Sequence, residues 1–230
     1  LPCLKSVGLS DRADRFPSQL SGGPQQRLAL ARSIAPKPGL LLLDEPFSSL
    51  DARLRESVRA ETLAVLRETR ATCVIVTHDP EEAMLFGDKI ALLRDGQIAQ
   101  IGSSDEIYNS PLDLSVARFF SPISEMHATV VNGFAETPLG KLSVAGRSNG
   151  AKIIVAMRPV ASANLVEKGE GAMGRVVNKH TAIGIDTIEV AVSGIDQPVR
   201  VRRPASDDVY PGQDVNIAIN PNRVLVFDAI

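Results

Sequence analysis

Four leucines, Leu40 to Leu43, run without interruption into Asp44-Glu45-Pro46, and a second apolar run, Thr72 to Thr77, ends at His78. Short continuous apolar runs of this kind are what parallel strands buried on both faces look like, because helices cover each side of such a sheet. Helical patterns stand where the crossover connections belong. Pro24 to Ala35 has a first-turn proline, an interior of Leu, Ala and Arg, and Pro36 and Pro38 as its stop. Ala52 to Thr69 sets Leu54, Val58, Leu63 and Leu66 on one stripe. Asp79-Pro80-Glu81-Glu82 supplies an N-cap, a first-position proline and first-turn acids for a short helix that stops at Gly87. Through about Phe120 the alternation predicts an α/β fold.

Lys89 to Arg94, Asp95-Gly96 and Gln97 to Ile101 form a hairpin signal, and Ser103 with Glu106 forms a capping box. After Pro122 the texture changes to short β-rich runs spaced by turn residues. Strands are expected near Met126 to Val131, Lys141 to Ala145, Lys152 to Met157, Gly174 to Asn178, Ile185 to Val192, Val199 to Arg203, Asp214 to Ile219 and Val224 to Phe227. Many short strands at this spacing suggest a small barrel or sandwich. A faint repeat runs through them: Val130-Val131-Asn132 recurs as Val176-Val177-Asn178, and Gly150 to Pro159 is patterned like Gly212 to Pro221.

Composition narrows the function classes. With 25 basic against 27 acidic residues, the chain has no electrostatic footprint for nucleic acid. Its 2 cysteines, Cys3 and Cys73, are no disulfide framework, and a reducing compartment suits them. No apolar stretch approaches the ~18 residues of a membrane span, and no signal-peptide pattern opens the chain. The opening Leu1-Pro2-Cys3, without a methionine, suggests a cut inside a longer reading frame.

Three places carry chemistry. Ser21, Gly22 and Gly23 open a helix, where free backbone amides and the positive end of the helix dipole favour an anion such as phosphate. Asp44 and Glu45 deliver adjacent carboxylates to the C-terminal end of a strand, where ligands sit in open α/β sheets. One acid can hold Mg²⁺ while its neighbour polarises a water. His78 repeats that placement on the second strand. Each has a plain structural explanation as well: a helix cap, a capping acid, a polar loop residue.

The ordered set is far more specific than its members. Leu20-Ser21-Gly22-Gly23-Pro24-Gln25-Gln26-Arg27, Leu40 to Pro46, Ser48-Ser49-Leu50-Asp51 and Val76-Thr77-His78-Asp79 closely resemble the second half of an ABC-transporter ATPase subunit. The resemblance implies a partial P-loop NTPase domain over residues 1–121, followed by an OB-like β-barrel regulatory domain over 122–230. It implies that Ser21, Gly22 and Gly23, with Gln25 in the same signature motif, contact ATP bound to the opposite subunit. Asp44 becomes the Walker B magnesium residue, Glu45 the general base, Asp51 the D-loop aspartate at the dimer interface and His78 the switch histidine. Pro24 stands where glutamine is usual in the family, and Val160 stands where glutamate usually follows Arg158-Pro159.

By the same resemblance the partners are a second copy of the chain, membrane-spanning permease subunits and, indirectly, an extracytoplasmic solute-binding protein. The expected place is peripheral, on the cytoplasmic face of the inner membrane. Gly96 to Gly102 and Glu106 to Pro111 look like the exit from the ATPase domain in the importer branch. Pro138 to Gly140 and Gly174 to Val177 look most like ferric-iron importers. Two other readings are a non-catalytic dimerisation or ligand-sensing module, and a non-transport ABC ATPase on nucleic acid; few aromatics and no tryptophan after Pro122 count against the second. No G-x-x-x-x-G-K-[ST] loop occurs between Leu1 and Ile230, so the 230-residue chain is expected to be inactive alone.

Overall fold

The computed structural model describes residues 2–48, 50–69, 71–160 and 162–229. Ser49, part of the expected D-loop, lies outside them. The chain divides into two compact units, Leu1–Ile90 and Ala91–Ile230.

The first unit runs α1 (Pro2–Ser6), α2 (Gly22–Ile34), β1 (Leu40–Asp44), α3 (Ala52–Thr69), β2 (Thr72–Val76) and α4 (Pro80–Phe86). Strands β1 and β2 are parallel, with Leu40 opposite Thr72 and Asp44 opposite Val76. One helical layer covers them. Leu30, Ala31 and Ile34 of α2 and Val65 and Leu66 of α3 close over Leu41, with Val7 and Leu9 beside them and Leu43, Cys73 and Ile75 packed against the cluster. The other face is bare: Leu40, Leu42, Val74 and Val76 are 51, 69, 50 and 55 % exposed. The expectation of strands buried on both faces therefore fails. Two strands with helices on one side leave alternate residues in solvent, and period-two exposure replaces continuous burial. A smaller core of Phe47, Leu50 and Val58 sits beyond the strand ends, where Phe47 stacks on Phe86 with ring centroids 5.3 Å apart.

The second unit opens within β3 (Ile90–Arg94), which forms a hairpin with β4 (Gln97–Gly102), and continues through α5 (Ser104–Asn109) and α6 (Leu114–Phe120). Asp95 and Gly96 turn the hairpin at positive φ, as a type I′ turn requires. The Ser103–Glu106 capping box is present with both reciprocal bonds. Helix α6 escaped the sequence reading because only seven residues carry its period, too few to show one.

Ten further strands follow: β5 (Ser124–Val131), β6 (Phe134–Thr137), β7 (Gly140–Ser143), β8 (Lys152–Met157), β9 (Ala163–Val166), β10 (Ala172–Ala182), β11 (Ile185–Val192), β12 (Val199–Pro204), β13 (Asp214–Ile219) and β14 (Leu225–Asp228). They form two five-stranded sheets with orders β14-β8-β5-β6-β7 and β12-β11-β10-β13-β9. The two orders are the same. Each has a three-strand meander whose first strand pairs with the strand after the meander, which pairs in turn with a fifth. The fifth strands are exchanged, since β9 follows β8 in sequence but joins β13, while β14 follows β13 but joins β8.

The faint sequence repeat is a repeat of hydrogen bonds. Val130 N–H donates to Ala151 O at 2.9 Å and Gly150 N–H to Val130 O at 2.7 Å; Val176 N–H donates to Gln213 O at 2.9 Å and Gly212 N–H to Val176 O at 2.7 Å. Where the exchanged connections meet, the buried Ser162 accepts from Arg158 N–H and donates to Arg223 O at 2.7 Å. A single apolar core drawn from both sheets, including Val130, Ile153, Val155, Val176, Ile188, Val199 and Ile217, fills the interior. Among the described residues the strand pairings describe two open sheets and no closed barrel.

Candidate active site at the ends of two parallel strands

Parallel pairing places the residues that follow β1 and β2 side by side, and register fixes which they are. Asp44 lies opposite Val76, so Glu45 and His78 leave the sheet at the same end. Glu45 N–H continues the ladder to Val76 O at 2.9 Å. At Glu45 the backbone turns sharply, with φ +46. This is left-handed space, which costs a residue with a Cβ about 1–2 kcal/mol. Ser48 holds the turn, its hydroxyl donating to Glu45 O at 3.0 Å. The turn brings Glu45 Oε1 to 2.6 Å from His78 Nδ1.

That contact governs the imidazole. The hydrogen bond that His78 donates to Glu45, reinforced by the charges of Glu45, Asp79 and Glu82, raises the His78 pKa above its ordinary value. The ring is 77 % exposed, so the bond is reachable from solvent. Asp44 is exposed at the end of β1, beside this pair.

The helix-start residues form a separate cluster. Ser21 is the N-cap of α2, and its hydroxyl makes no capping bond to the first amides of the helix. Gly22 is exposed, and Gly23 is buried against α3. A Cβ on Gly23 would come within 2.7 Å of Leu54 Cδ1, closer than side chains tolerate. Gly23→Ala is therefore expected to lower stability by about 1–3 kcal/mol through overpacking, measured by urea denaturation, whereas a helix-propensity effect alone would raise it. Gln25, expected to meet nucleotide, donates to Leu20 O at 2.9 Å and Pro17 O at 3.1 Å. Gln26 donates to Pro46 O and ties α2 to the loop after Glu45. Asp51 accepts from Leu54 N–H at 3.0 Å and so caps α3. The structure thus joins Glu45 to His78, places Asp44 next to them, and leaves Ser21 to Gln25 and Asp51 as a second group around the start of α2 and α3.

The donor chemistry fits the groups the sequence resemblance implies. Magnesium takes one or two carboxylates and completes its shell with water and substrate phosphate, so Asp44 with an open strand end suffices. No group of three or more His, Cys, Asp or Glu that would suit a caged metal occurs among the described residues. A phosphate fits the uncapped start of α2.

Sequence reasoning missed Arg59. Its side chain, 11 % exposed on α3, reaches Asp79 Oδ2 at 2.5 Å and Glu82 Oε1 at 2.6 Å, on either side of the start of α4. Thr77 donates to the other oxygen of Glu82 at 2.5 Å. Asp79 and Glu82 read as helix-start acids in sequence, and nothing in their spacing to Arg59 announces the contact.

Residues 2–48 match the family described as ABC transporter. Over 90 % of its length the chain is 39 % identical to the Fe(3+) ions import ATP-binding protein FbpC 1 of Rhodococcus jostii, and covers 61 % of that protein. Over 85 % of its length it is 40 % identical to the Fe(3+) ions import ATP-binding protein FbpC 2 of Rhizobium meliloti, and covers 48 % of it. A solved metal-chelate type ABC transporter in an inward-facing conformation aligns at 30 % identity and TM-score 0.44, over 56 % of this chain and 50 % of that one. The chain spans about two fifths to three fifths of the length of the curated relatives it matches, and over most of its own length it is similar to ATP-binding subunits of the ferric-iron ABC importer type.

Proposed function

We propose that this chain is the second part of an ATP-hydrolysing subunit of an ABC importer. The observation that carries the reading is the Glu45–His78 contact at 2.6 Å, held by a strained turn at the shared end of two parallel strands. Strain in a non-glycine residue persists where surrounding structure enforces it, and such residues gather at active sites. Residues 1–121 are then the end of the ATPase domain, and 122–230 a regulatory domain of two OB-like units. The repeated strand order supports the latter, as does Arg202 N–H donating to Pro159 O at 2.7 Å, which brings outer strand β12 to the segment leading into β9 at the opposite edge of its sheet.

In this reading Asp44 holds magnesium, which when bound neutralises charge on the phosphates. Glu45 accepts the proton of the attacking water through Oε2, which has no protein partner among the described residues, while Oε1 is held by His78. Ser21 N-caps the helix whose amides, with Gly22 and Gly23, meet the terminal phosphate across a dimer, and Asp51 fixes the facing loop. Charge stabilisation and positioning of this kind make up most of the catalysis of phosphoryl transfer. The subunit pairs with a second copy, docks on membrane-spanning permease subunits at the cytoplasmic face, and receives solute through an extracytoplasmic binding protein. No helix among the described residues is long and apolar enough to cross a membrane.

Ferric iron is the proposed cargo, on the names of the relatives and the sequence likeness. Deleting the gene is expected to abolish uptake of radiolabelled ferric iron and leave sulfate, polyamine and sugar uptake intact. Loss of one of those others in place of iron would correct the cargo; loss of none would remove the importer reading.

A further inference from the structure

We propose that Arg59 is a positioning residue for the Glu45–His78 pair: by gripping Asp79 and Glu82 together it fixes the turn that carries His78. The proposal rests on the reading of that pair as catalytic machinery and adds a residue on a different element.

His78 stands on a short bridge between β2 and α4, and each end of the bridge is held. Asp79 caps α4 through Glu81 and Glu82 N–H at 2.8 and 3.3 Å, and its own N–H donates to Thr77 Oγ1 at 3.0 Å. Thr77 Oγ1 in turn reaches Glu82 Oε2 at 2.5 Å. Thr77, Asp79 and Glu82 thus close a ring of hydrogen bonds around the backbone of His78. Arg59 locks it from α3, with Nη2 shared between Asp79 and Glu82 and Nε on Glu82 at 3.1 Å.

The energetics favour a fixed clamp. Glu82 is 4 % exposed, and a polar group so placed needs close hydrogen-bond or ionic partners, which Arg59 and Thr77 supply. Burial pushes Asp79 up, yet Arg59 and the two helix amides outweigh it and hold the carboxyl below its ordinary range. Arg59 is likewise held protonated, its two acid partners outweighing burial. A shared guanidinium is planar and forked, so it dictates where both acids lie, which a point charge would not do. The clamp sits at one wall of a groove of about 810 Å³ between α3 and α4, lined also by Arg55, Leu63 and Leu85, and this groove contains neither Glu45 nor His78. The acidic partners of Arg59 are Asp79, Glu82 and, at 3.7 Å, Glu81, so it acts on the pair through the bridge.

The sign of one measurement separates positioning from simple electrostatics. Among the described residues the charged groups around His78 are Glu45 after β1 with Asp44 before it, Asp79, Glu81 and Glu82 on its own side, and Arg59 behind those acids. Removing the Arg59 cation leaves Asp79 and Glu82 uncompensated, which by charge alone raises the His78 pKa. Losing the position of the bridge breaks the bond to Glu45 and lowers it. Titration of the imidazole resonances of the 230-residue chain by NMR, with Glu45→Gln marking the value without the carboxylate, decides between them. Arg59→Met is expected to shift the His78 titration downward by at least half of the Glu45→Gln shift, with Arg59→Lys in between. An unchanged or raised titration overturns the proposal. Should Arg59→Met fail to fold, Thr77→Val decides, since it opens the ring without altering charge or volume: a downward shift supports the clamp and no shift overturns it. The readout needs no nucleotide, so its failure is distinguishable from failure of the ATPase reading.

Discussion

The 230-residue chain by itself is expected to release no phosphate from MgATP above the uncatalysed background, even at concentrations that favour pairing. The pair Glu45–His78 and an uncapped helix start can polarise a water and meet one phosphate. Neither holds the nucleotide in line with that water. Positioning of reactants accounts for about 7–11 kcal/mol of barrier reduction in well-oriented reactions, and in phosphoryl transfer it is shared mostly with charge stabilisation around the phosphates. The residues that supply it in P-loop enzymes, a glycine-rich loop with Lys-Ser or Lys-Thr, are not among these 230. A phosphate-release assay with and without Mg²⁺ checks the expectation. Magnesium-dependent turnover that disappears in Glu45→Gln would mean the chain holds a complete site, and the division of labour proposed above would be wrong.

The bare strand face belongs to the same picture. Leu40, Leu42, Val74 and Val76 place four aliphatic side chains, each half or more exposed, on one side of two strands. Four adjacent apolar side chains make the kind of contiguous patch that soluble proteins usually cover. Its sequence signature, an unbroken apolar run, is that of a strand covered twice. Sequence and structure disagree here because the run records the burial the strand is suited to, while exposure records only the layers present in this chain.

Where local physics decides, the sequence was legible. The boundaries of β1, α3, α4 and β8 coincide with those expected from apolar runs, proline stops and the Asp79 cap. Hydrogen-bonded turns were legible too, because Asp95-Gly96 and Ser103–Glu106 need only their own few residues. The exchange of β9 and β14 between sheets was not, since pairing partners some sixty residues apart leave no periodic trace. The candidate site divides the same way. That Glu45 and His78 lie at one end of the sheet was legible, because strand ends are visible in sequence and parallel pairing brings them together. The bonds of the Gln25 amide to the backbone of Pro17 and Leu20 were not legible, since such a contact has no signature of its own. Arg59 was overlooked because an arginine on a charged helix reads as solvated face until its burial is known.

Joined to a preceding segment that carries a phosphate-binding loop, the protein is expected to lose about 10²–10⁴-fold in kcat on Glu45→Gln, with nucleotide affinity largely unchanged. Glutamine is the informative substitution. It keeps the volume, tolerates the same backbone turn at φ +46 as well as glutamate does, and can still accept a hydrogen bond from His78 through its carbonyl. What it removes is the capacity to take a proton from water. A comparable loss on His78→Ala would show that the carboxylate must be held as well as present, since that change leaves Glu45 in place and frees Oε1. The two losses should not add, because both act on one group. If Glu45→Gln retained most of its turnover while His78→Ala did not, the base would have to be sought elsewhere and the strained turn would have a purely structural cause. If both were silent, the 2.6 Å contact would be a surface ion pair of the ordinary kind, and the match in motif order would be carrying more of the functional reading than the geometry does.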